Sequence, residues 1–427
     1  MKLGWATPFN ANSAIARFSA DVTRELIALG HEVTILRSEV GEDLALPPLP
    51  SNAPIISANR KWNADKFDLV VINIGDNHAY HGGISLNAKL HAVGIFHDWC
   101  IVNLFNGWLA GTRDQFQGDE IVRRLYGAAV LRQFQEASPR DFLEIAGRLF
   151  PMTEWYAERL DGALVHSDFY LESVRSACPG PVMRLPLAYA GRTPMDQSPR
   201  RTDGLIHVLT FGMVNPNKRI ESVLRALAAR PELKERIAYR VAGSVTPQER
   251  TRLERIAAEC GVTHFHLEGR VSDDLLDKLI RESDIICCLR FPALEGSSAS
   301  VLEAMQSGRP VIVTDTGCYA EIPDGLVLKI RPQAEISDLQ QHLFALLQSP
   351  DERERMGQAA ALWARDQSDP ARYARDAMAH FQRVITTQPL LRCAESAGRE
   401  AGLWGLEPND PFLRRVATQF ENLWPKS

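Results

Sequence analysis

The chain has 427 residues, of which 45% are hydrophobic and 24% charged, a composition typical of soluble globular proteins. At the usual ~150 residues per domain, this length predicts two large or three ordinary domains and excludes a single small module. Lysine and arginine total 48 against 53 acidic residues, giving a net charge of -5 without a long basic block. Proteins that bind duplexes need a clustered basic face, so no nucleic-acid partner is expected.

The apolar stretches are short and interrupted. Ala92–Phe96 is followed at once by polar residues and falls far short of the ~20 residues that a membrane helix needs. Near the N-terminus, Asn10, Asn12 and Ser13 stand where a signal peptide would need an unbroken apolar core. These features predict a cytoplasmic protein.

The seven cysteines form an odd set without C-x-x-C spacing, which argues against a disulfide framework and against a zinc site. Cys287 and Cys288 lie in an apolar run and are expected to be reduced core thiols. Histidines and carboxylates show no ligand spacing either, so no metal is expected.

Strand-like apolar runs alternate with helical patterns in the first half of the chain. The sequence places strands at Lys2–Trp5, His31–Leu36, Asp68–Gly75, His91–Phe96 and Gly162–Ser167. Parallel neighbours need a crossover helix, so this order predicts a parallel sheet. The small or polar residues that end these runs are expected to line a cleft.

The alternation begins again after a segment rich in Pro, Gly, Arg and Asp at residues 188–204. Further strands are predicted at His207–Gly212, Tyr239–Ser244, Thr263–Gly269, Asp284–Leu289 and Pro310–Asp315. We therefore predict an α/β chain with two doubly wound parallel-sheet domains, at 1–190 and 205–399. Residues 191–204 form the predicted linker, and a C-terminal helix at about 400–427 is expected to pack back on the first domain.

A nucleotide is the natural ligand of such sheets, because helix N-termini at the strand ends offer N–H groups to an anion. Two familiar signatures are nevertheless missing. The chain contains no G-x-x-x-x-G-K-[ST], and the loop after the first strand contains no G-x-G-x-x-G. P-loop hydrolysis and NAD binding therefore lose support.

The stretch from Arg290 to Asp315 is the most informative. Glu295 and Glu303 are eight positions apart, which on one continuous helix would leave them about 80° out of phase. Glu295 is therefore placed in a loop, and Glu303 in a helix that begins near Ser298. Both carboxylates can then accept hydroxyl hydrogen bonds from one ligand whose phosphates lie between them. A nucleotide sugar has that form.

A purely structural interpretation of the same stretch remains open. Ser300 and Glu303 match the S-x-x-E capping box, which would make Glu303 a residue that only completes a helix terminus. Glu295 would then be a solvated loop carboxylate. Likewise, His97 is open to interpretation as a satisfied core histidine, and Lys218 as a solvated lysine at a helix start.

This stretch resembles the E-x7-E motif of the retaining glycosyltransferases of family 4, which have the GT-B fold of two Rossmann-like domains facing across a cleft. The similarity extends over about residues 1–385 and includes, in the family's order, the segments Asn73–His81, Gly94–Asp98, Val165–Phe169 and Phe211–Leu227. The resemblance implies metal-independent transfer without a cofactor.

The resemblance also implies roles for individual residues. Glu303 would bind the ribose hydroxyls, Glu295 the transferred sugar, and Lys218 the diphosphate, while His97 would lie near the anomeric carbon. The rest of the implied donor site comprises Gly212, Arg219, Arg270, Arg290, Gly296, Ser297, Ser298 and Ala299. Asn10, Asn12 and Ser13 would form the loop that faces the acceptor or phosphate.

Two positions depart from the family's pattern. Met213 stands where the family has an arginine after the glycine of the opening strand, which removes a bidentate phosphate partner. Our hypothesis is that Arg219 or Arg290 substitutes for it. The first loop also lacks the family's paired glycines.

The resulting prediction is an enzyme that moves a hexosyl unit from a UDP- or GDP-sugar to a hydroxyl of a glycan or lipid-linked saccharide, with retention. The alternatives are a non-catalytic nucleotide-binding or scaffold protein of the same fold, a nucleotide-sugar epimerase and, least favoured, an NAD-dependent dehydrogenase. Peripheral contact with the inner face of a membrane is conceivable through the arginine-rich region Gly107–Arg159, although a solvated helical face is favoured. The base and sugar of the donor, the acceptor and the oligomeric state are left open.

Overall fold

The computed structural model describes residues 1–59, 62–84, 91–112, 114–139, 141–191, 204–407 and 410–423. The chain forms two compact units. The first unit comprises Met1–Pro186 together with Pro370–Ser427, and the second comprises Leu187–Asp369.

A parallel sheet is the centre of the first unit. Over the described residues it has seven strands, in the order β3-β2-β1-β4-β5-β6-β7. The strands are β1 Lys2–Thr7, β2 Glu32–Arg37, β3 Ile55–Ser57, β4 Leu69–Ile74, β5 Ala92–Phe96, β6 Gly162–Val165 and β7 Val182–Arg184. The central strands β4, β5 and β6 are buried along their whole length, as expected for a sheet covered by helices on both faces.

The helices of the first unit come from both ends of the chain. They are α1 Ala14–Ala28, α2 Glu42–Ala45, α3 His78–His81, α4 Val102–Thr112, α5 Gln115–Tyr126, α6 Ala128–Glu136, α7 Phe142–Leu149, α8 Thr153–Ala157, α9 Leu171–Ala177, α17 Pro370–Leu403 and α18 Pro411–Leu423. Across the described ranges, none of the helices combines the length and apolar character that a bilayer span requires.

The second unit repeats the same plan. Its parallel sheet has six strands within the described part of the chain, in the order β10-β9-β8-β11-β12-β13. The strands are β8 Ile206–Phe211, β9 Ile237–Ala242, β10 Phe265–Gly269, β11 Ile285–Cys288, β12 Val311–Thr314 and β13 Leu328–Ile330. The helices are α10 Ile220–Ala228, α11 Pro231–Arg236, α12 Pro247–Glu259, α13 Asp273–Glu282, α14 Ala299–Gln306, α15 Glu335–Gln348 and α16 Pro350–Gln367.

The two Rossmann-like parallel sheets and all ten predicted strands are confirmed, with ends shifted by up to two residues. The sequence missed β3, β7 and β13. Each of these has three residues and lies at an edge of its sheet. Three residues are too few to show a period, and edge strands need not be continuously apolar.

The predicted division between the domains needs correction. The sequence assigned residues up to 399 to the second domain, but α17 belongs to the first unit from Pro370 onward. Its Phe381 packs against Trp5 with ring centroids 6.5 Å apart, and its Gln388 amide donates to Asp161 at 3.0 Å. A helical pattern predicts that one face of a helix is buried but not which sheet it packs on. The sequence therefore placed the end of the second domain at 399 instead of at Asp369.

The linker predicted at 191–204 lies, except for its two end residues, outside the described residues. Residues just before it belong to the second unit. The Tyr189 N–H donates to the Ser368 carbonyl at 2.9 Å, and the Gln306 amide donates to the Tyr189 carbonyl at 3.0 Å. The second unit therefore begins at Leu187 rather than after the linker.

Gly243, directly after β9, leads to a stability prediction. A Cβ at this position would lie 2.0 Å from the Gly212 carbonyl oxygen, which is backbone and cannot rotate away. Gly243→Ala should therefore destabilise the second unit by about 1–3 kcal/mol, lowering its thermal unfolding midpoint by several degrees. Gly402→Ala is the control, because nothing lies within 4 Å of its new Cβ. Equal midpoints for the two variants would contradict the packing described here.

Candidate active site

The strand order of the second unit reverses between β8 and β11, which are direct neighbours. In open parallel sheets, ligands bind beyond the carboxyl ends of the strands at such a reversal. β8 is followed there by Gly212, and β11 by Arg290 two residues later. The topology therefore brings two separate sequence segments to one place.

Lys218 lies in the loop after β8, at the end of the 3-10 turn Pro216–Lys218. Its side chain is buried, and its ammonium group donates to the Phe211 carbonyl. Gly212 has φ +90°, and a Cβ there would lie 2.9 Å from Lys218 Nζ. Glycine is therefore required at position 212 both for its backbone conformation and for the room that the lysine occupies.

Burial, followed by the positive charge of Arg290, lowers the pKa of Lys218 to about 7, against the opposing effects of Cys288 and Glu295. A buried ammonium group without an anion is electrostatically unfavourable. The site is therefore poised to accept negative charge.

Arg290 and Glu295 form an ion pair, with Arg290 Nε 2.8 Å from Glu295 Oε1. The guanidinium is only 7% exposed and also donates to the Leu289 carbonyl, while the backbone N–H of Arg290 donates to Thr314 Oγ1 at 3.1 Å. Burial alone would raise the pKa of Glu295, but the Arg290 charge and hydrogen bond outweigh it and the pKa is lowered. Glu295 is therefore a carboxylate at neutral pH.

Helix α14 begins at Ala299 with Ser298 as its N-cap. Glu295 is thus in the loop and the buried Glu303 is inside the helix, as the eight-residue spacing predicted. Ser300 lies inside the helix, so the capping-box interpretation of Ser300 and Glu303 is wrong. Gly296 and Ser297 lie just before the N-cap Ser298, and the N–H groups at the start of α14 follow it.

The side chains predicted to share one site surround the end of β11. Burial raises the pKa of the Cys288 thiol to about 11, and four further charges act on this group. These charges belong to Arg290, Lys218, Glu303 and Glu295. Lys218, Glu295 and Glu303 are therefore brought together within one unit.

Three polar atoms close to these residues have no hydrogen-bond partner in the described part of the chain. They are Glu295 Oε2, Asn215 Oδ1 and Asn217 Oδ1, all buried. Buried acceptors are normally satisfied, so unpaired ones at a sheet reversal indicate where a ligand donates. Neither asparagine was predicted as a site residue, although their positions beside Lys218 in the chain were a usable signal.

The other two arginines predicted for the donor site, Arg219 and Arg270, have different surroundings. Arg219 donates from Nε and Nη2 to Glu335, at 2.9 and 2.7 Å, and Glu335 also accepts from Ser222. Arg219 therefore pairs with Glu335, an acidic partner that the sequence did not predict. Arg270 is exposed directly after β10. Both candidates for the missing family arginine are therefore paired with a carboxylate, Arg219 with Glu335 and Arg290 with Glu295, and the hypothesis that one of them substitutes stays a prediction.

The predicted loop of Asn10, Asn12 and Ser13 belongs to the first unit, and two of its members have structural roles there. Asn10 is buried, accepts from the Asn12 N–H at 2.9 Å and donates to Glu39 at 3.1 Å. Ser13 caps α1 by accepting from the Ala16 N–H. Side-chain hydrogen bonds therefore hold the loop in place of the family's glycines.

His97 also belongs to the first unit, directly after β5, and is 7% exposed. Its Nε2 lies 3.0 Å from Asn73 Oδ1 and its Nδ1 lies 3.2 Å from His166 Nε2. Burial lowers its pKa well below the usual value, and the charges that His166 and His81 would carry lower it further. His97 is therefore neutral at pH 7 and belongs to a histidine cluster that the sequence did not predict. Among the described residues, no three His, Cys, Asp or Glu side chains are grouped to hold a metal ion.

Residues 192–363 match the family model described as glycosyl transferases group 1. The chain is also 30% identical over 146 residues to the MMP alpha-(1->4)-mannosyltransferase of Mycolicibacterium hassiacum. That alignment covers 33% of this chain and spans only about a third of the relative, 34% of its length. Both matches are likenesses of part of this chain to glycosyltransferases.

Solved structures with the same architecture include WaaG, a glycosyltransferase involved in lipopolysaccharide biosynthesis, with TM-score 0.60 and 17% identity. That alignment covers 88% of this chain and 98% of WaaG. Anabaena HepE in complex with UDP-glucose aligns with TM-score 0.59 and 14% identity, covering 89% and 100% of the two chains. At these identities the comparison concerns the fold, which is the GT-B fold of two Rossmann-like parallel-sheet units.

Proposed function

We propose that this chain is a retaining glycosyltransferase that moves a hexosyl unit from a nucleoside diphosphate sugar to an acceptor hydroxyl. The observation that carries the proposal is the group formed by Lys218, Arg290 and Glu295 at the sheet reversal of the second unit, with Glu295 Oε2 unpaired. Two cations beside one carboxylate suit a ligand that has both a diphosphate and sugar hydroxyls.

Each residue has its own role in binding or transfer. Lys218 and Arg290 offset the diphosphate charge and stabilise the charge that grows on it as the glycosidic bond breaks. Glu295, with the amides of Gly296 to Ala299, holds the transferred sugar, and Glu303 holds the ribose hydroxyls. His97 is assigned to the transfer step because of its place in the family motif.

Retention follows, in this proposal, from attack on the same face that the diphosphate leaves. The acceptor hydroxyl forms the new bond to the anomeric carbon, the bond to the diphosphate breaks, and the leaving phosphate takes the hydroxyl proton. The enzyme supplies orientation and electrostatic stabilisation, without a metal or another cofactor.

The relatives support a hexose donor, since one is named a mannosyltransferase and another was crystallised with UDP-glucose. A glycan or lipid-linked saccharide is the proposed acceptor, reached from the cytoplasm or from the inner face of the membrane. Family 4 and the E-x7-E assignment are part of the same proposal.

The test begins with thermal shifts for UDP, GDP, ADP and NAD, because a ligand that binds only the native state raises its stability. The corresponding hexose donors are then incubated with saccharide acceptors, and the product's anomeric configuration is read by NMR. A retained linkage with release of nucleoside diphosphate is expected. Conversion of the donor without any acceptor would indicate an epimerase, and nucleotide binding without turnover a scaffold; either result would overturn the proposal.

A further inference from the structure

Two buried histidines meet in the first unit. β5 and β6 are parallel neighbours, with Phe96 paired to Val165, so the residues that follow them lie side by side. These residues are His97 and His166, which are 7% and 3% exposed. Their ring nitrogens, His97 Nδ1 and His166 Nε2, are 3.2 Å apart.

The pair is the middle of a chain of four polar contacts. At one end His166 Nδ1 lies 3.0 Å from the Leu185 carbonyl oxygen. At the other end His97 Nε2 lies 3.0 Å from Asn73 Oδ1, and the Asn73 amide donates to the Ala6 carbonyl at 3.1 Å. Both ends are main-chain carbonyls, which only accept hydrogen bonds.

The hydrogen bonds of this chain need one proton more than the two neutral rings carry. The Asn73 amide donates outward, so its oxygen requires a proton on His97 Nε2, and Leu185 requires a proton on His166 Nδ1. The inner contact between the rings requires a third proton, but two neutral imidazoles carry only two. Flipping the Asn73 amide does not help, because its oxygen would then face the Ala6 carbonyl and the shortage would move to that contact.

The two rings therefore act as a single proton-binding unit. One added proton completes every contact without movement of heavy atoms, whereas a second would bring two N–H groups face to face at the inner contact. The surrounding backbone is fixed: the Tyr170 hydroxyl accepts from the His166 N–H at 3.0 Å and donates to the Phe96 carbonyl at 2.8 Å.

Groups from three other elements and the neighbouring Asp98 surround the pair. His81 of α3 contacts the Asn73 carbonyl at 3.0 Å, Phe18 of α1 packs edge-on to His97, and the Tyr373 ring of α17 lies 6.1 Å from His166. Asp98, next in the chain, accepts from the Asp76 N–H.

These surroundings oppose charge on the rings. Burial lowers the pKa of His166 to about 4, in spite of its hydrogen bond to Leu185, and the pKa of His97 is lowered as well. At neutral pH both rings are neutral, so one of their three contacts lacks its proton and the two tautomers are coupled. A proton on His166 Nε2 leaves His97 protonated at Nε2, whereas a proton on His97 Nδ1 needs the lone pair of His166 Nε2.

We propose that His166 is a positioning residue for His97, fixing the orientation and the tautomer of the histidine used in sugar transfer. This inference rests on the proposed function. His166 does not touch the substrate, and its influence passes through the contact between the two rings.

Two substitutions of His166 separate positioning from packing. His166→Phe fills the space but cannot bond His97 Nδ1, so kcat should fall about 10- to 100-fold with donor KM changed less than twofold, as when partners that orient a ligating histidine are removed. His166→Gln offers an amide near the position of Nε2 and should retain kcat within a few fold. His380→Gln is the control, because His380 is a buried histidine of the same unit, in α17.

Nitrogen-15 NMR of labelled histidines gives a readout that needs no substrate. In the wild type, the His97 and His166 signals should titrate together and take up one proton between them, and His166→Phe should change the tautomer signature of His97. Independent titration of the two rings, or unchanged kcat and His97 signals in His166→Phe, would overturn the proposal. If the wild type transfers no sugar but the rings titrate as a unit, the proposed function fails while the proton-sharing pair stands.

Discussion

Replacing Glu295 with glutamine is expected to reduce sugar transfer by about 10²- to 10³-fold in kcat, the size of effect seen when one transition-state contact is removed from a preorganised site. Glutamine keeps the shape and still accepts from Arg290 Nε, but it lacks the negative charge. The unpaired Oε2 of Glu295 is the atom assigned to a sugar hydroxyl. Binding of the nucleoside diphosphate alone should change little, because Glu303 and Lys218 are retained.

The matched control is Glu268→Gln. Glu268 also pairs with an arginine, Arg240, at 3.4 Å, and its side chain is 31% exposed against 25% for Glu295. It lies on β10, away from the end of β11. Steady-state kinetics and calorimetric titration with UDP or GDP measure the two effects. Normal turnover in Glu295→Gln, or an equal loss in Glu268→Gln, would contradict the site assignment.

Replacing Lys218 with methionine is expected to weaken binding of the nucleotide sugar and to slow transfer by about 10²-fold or more, because a buried cation that faces the diphosphate is lost. Methionine is unbranched and adaptable like the lysine stem but carries no charge, so the Phe211 carbonyl loses the donor that Lys218 provides. Lys278→Met, at an exposed position of α13, is the control and should behave as the wild type.

The lowered pKa of Lys218 adds a pH dependence with a definite sign. With a pKa of about 7, the lysine loses its charge as the pH rises through 7, whereas a bound diphosphate favours the charged form. The dissociation constant of the donor should therefore rise above pH 7, by at most tenfold per pH unit. Nucleotide sugars suit this measurement because both phosphates are esterified and do not titrate there.

Folding stability should increase with pH over the range in which donor affinity decreases. Between the folded pKa of about 7 and the ordinary lysine value of 10.5, the unfolded chain binds more protons than the folded chain. The free energy of unfolding therefore rises with pH across that window, and Lys218→Met should remove this contribution. A donor affinity independent of pH in the wild type would show that the lysine is not titrating at the site.

The places that the predicted donor residues take in the fold were largely predictable, because these residues lie in short segments next to strand ends. The position of Glu295 in a loop and Glu303 in a helix followed from their spacing and from the helical repeat alone. The spacing could not predict which arginine pairs with which glutamate. Arg219 and Arg290 were equivalent candidates in the sequence, yet Glu335, more than a hundred positions away, engages Arg219 and leaves Arg290 beside Glu295.

The sequence by itself determined the two parallel sheets and ten of their strands, because hydrophobic periodicity is a local property of the chain. Only the tertiary structure decided that α17 packs on the first unit and that Asn215 and Asn217 leave buried oxygens unpaired. It alone also placed His97 and His166 in contact. These features depend on distant segments meeting at the ends of neighbouring strands, and the order of strands in a sheet is not written in any one segment.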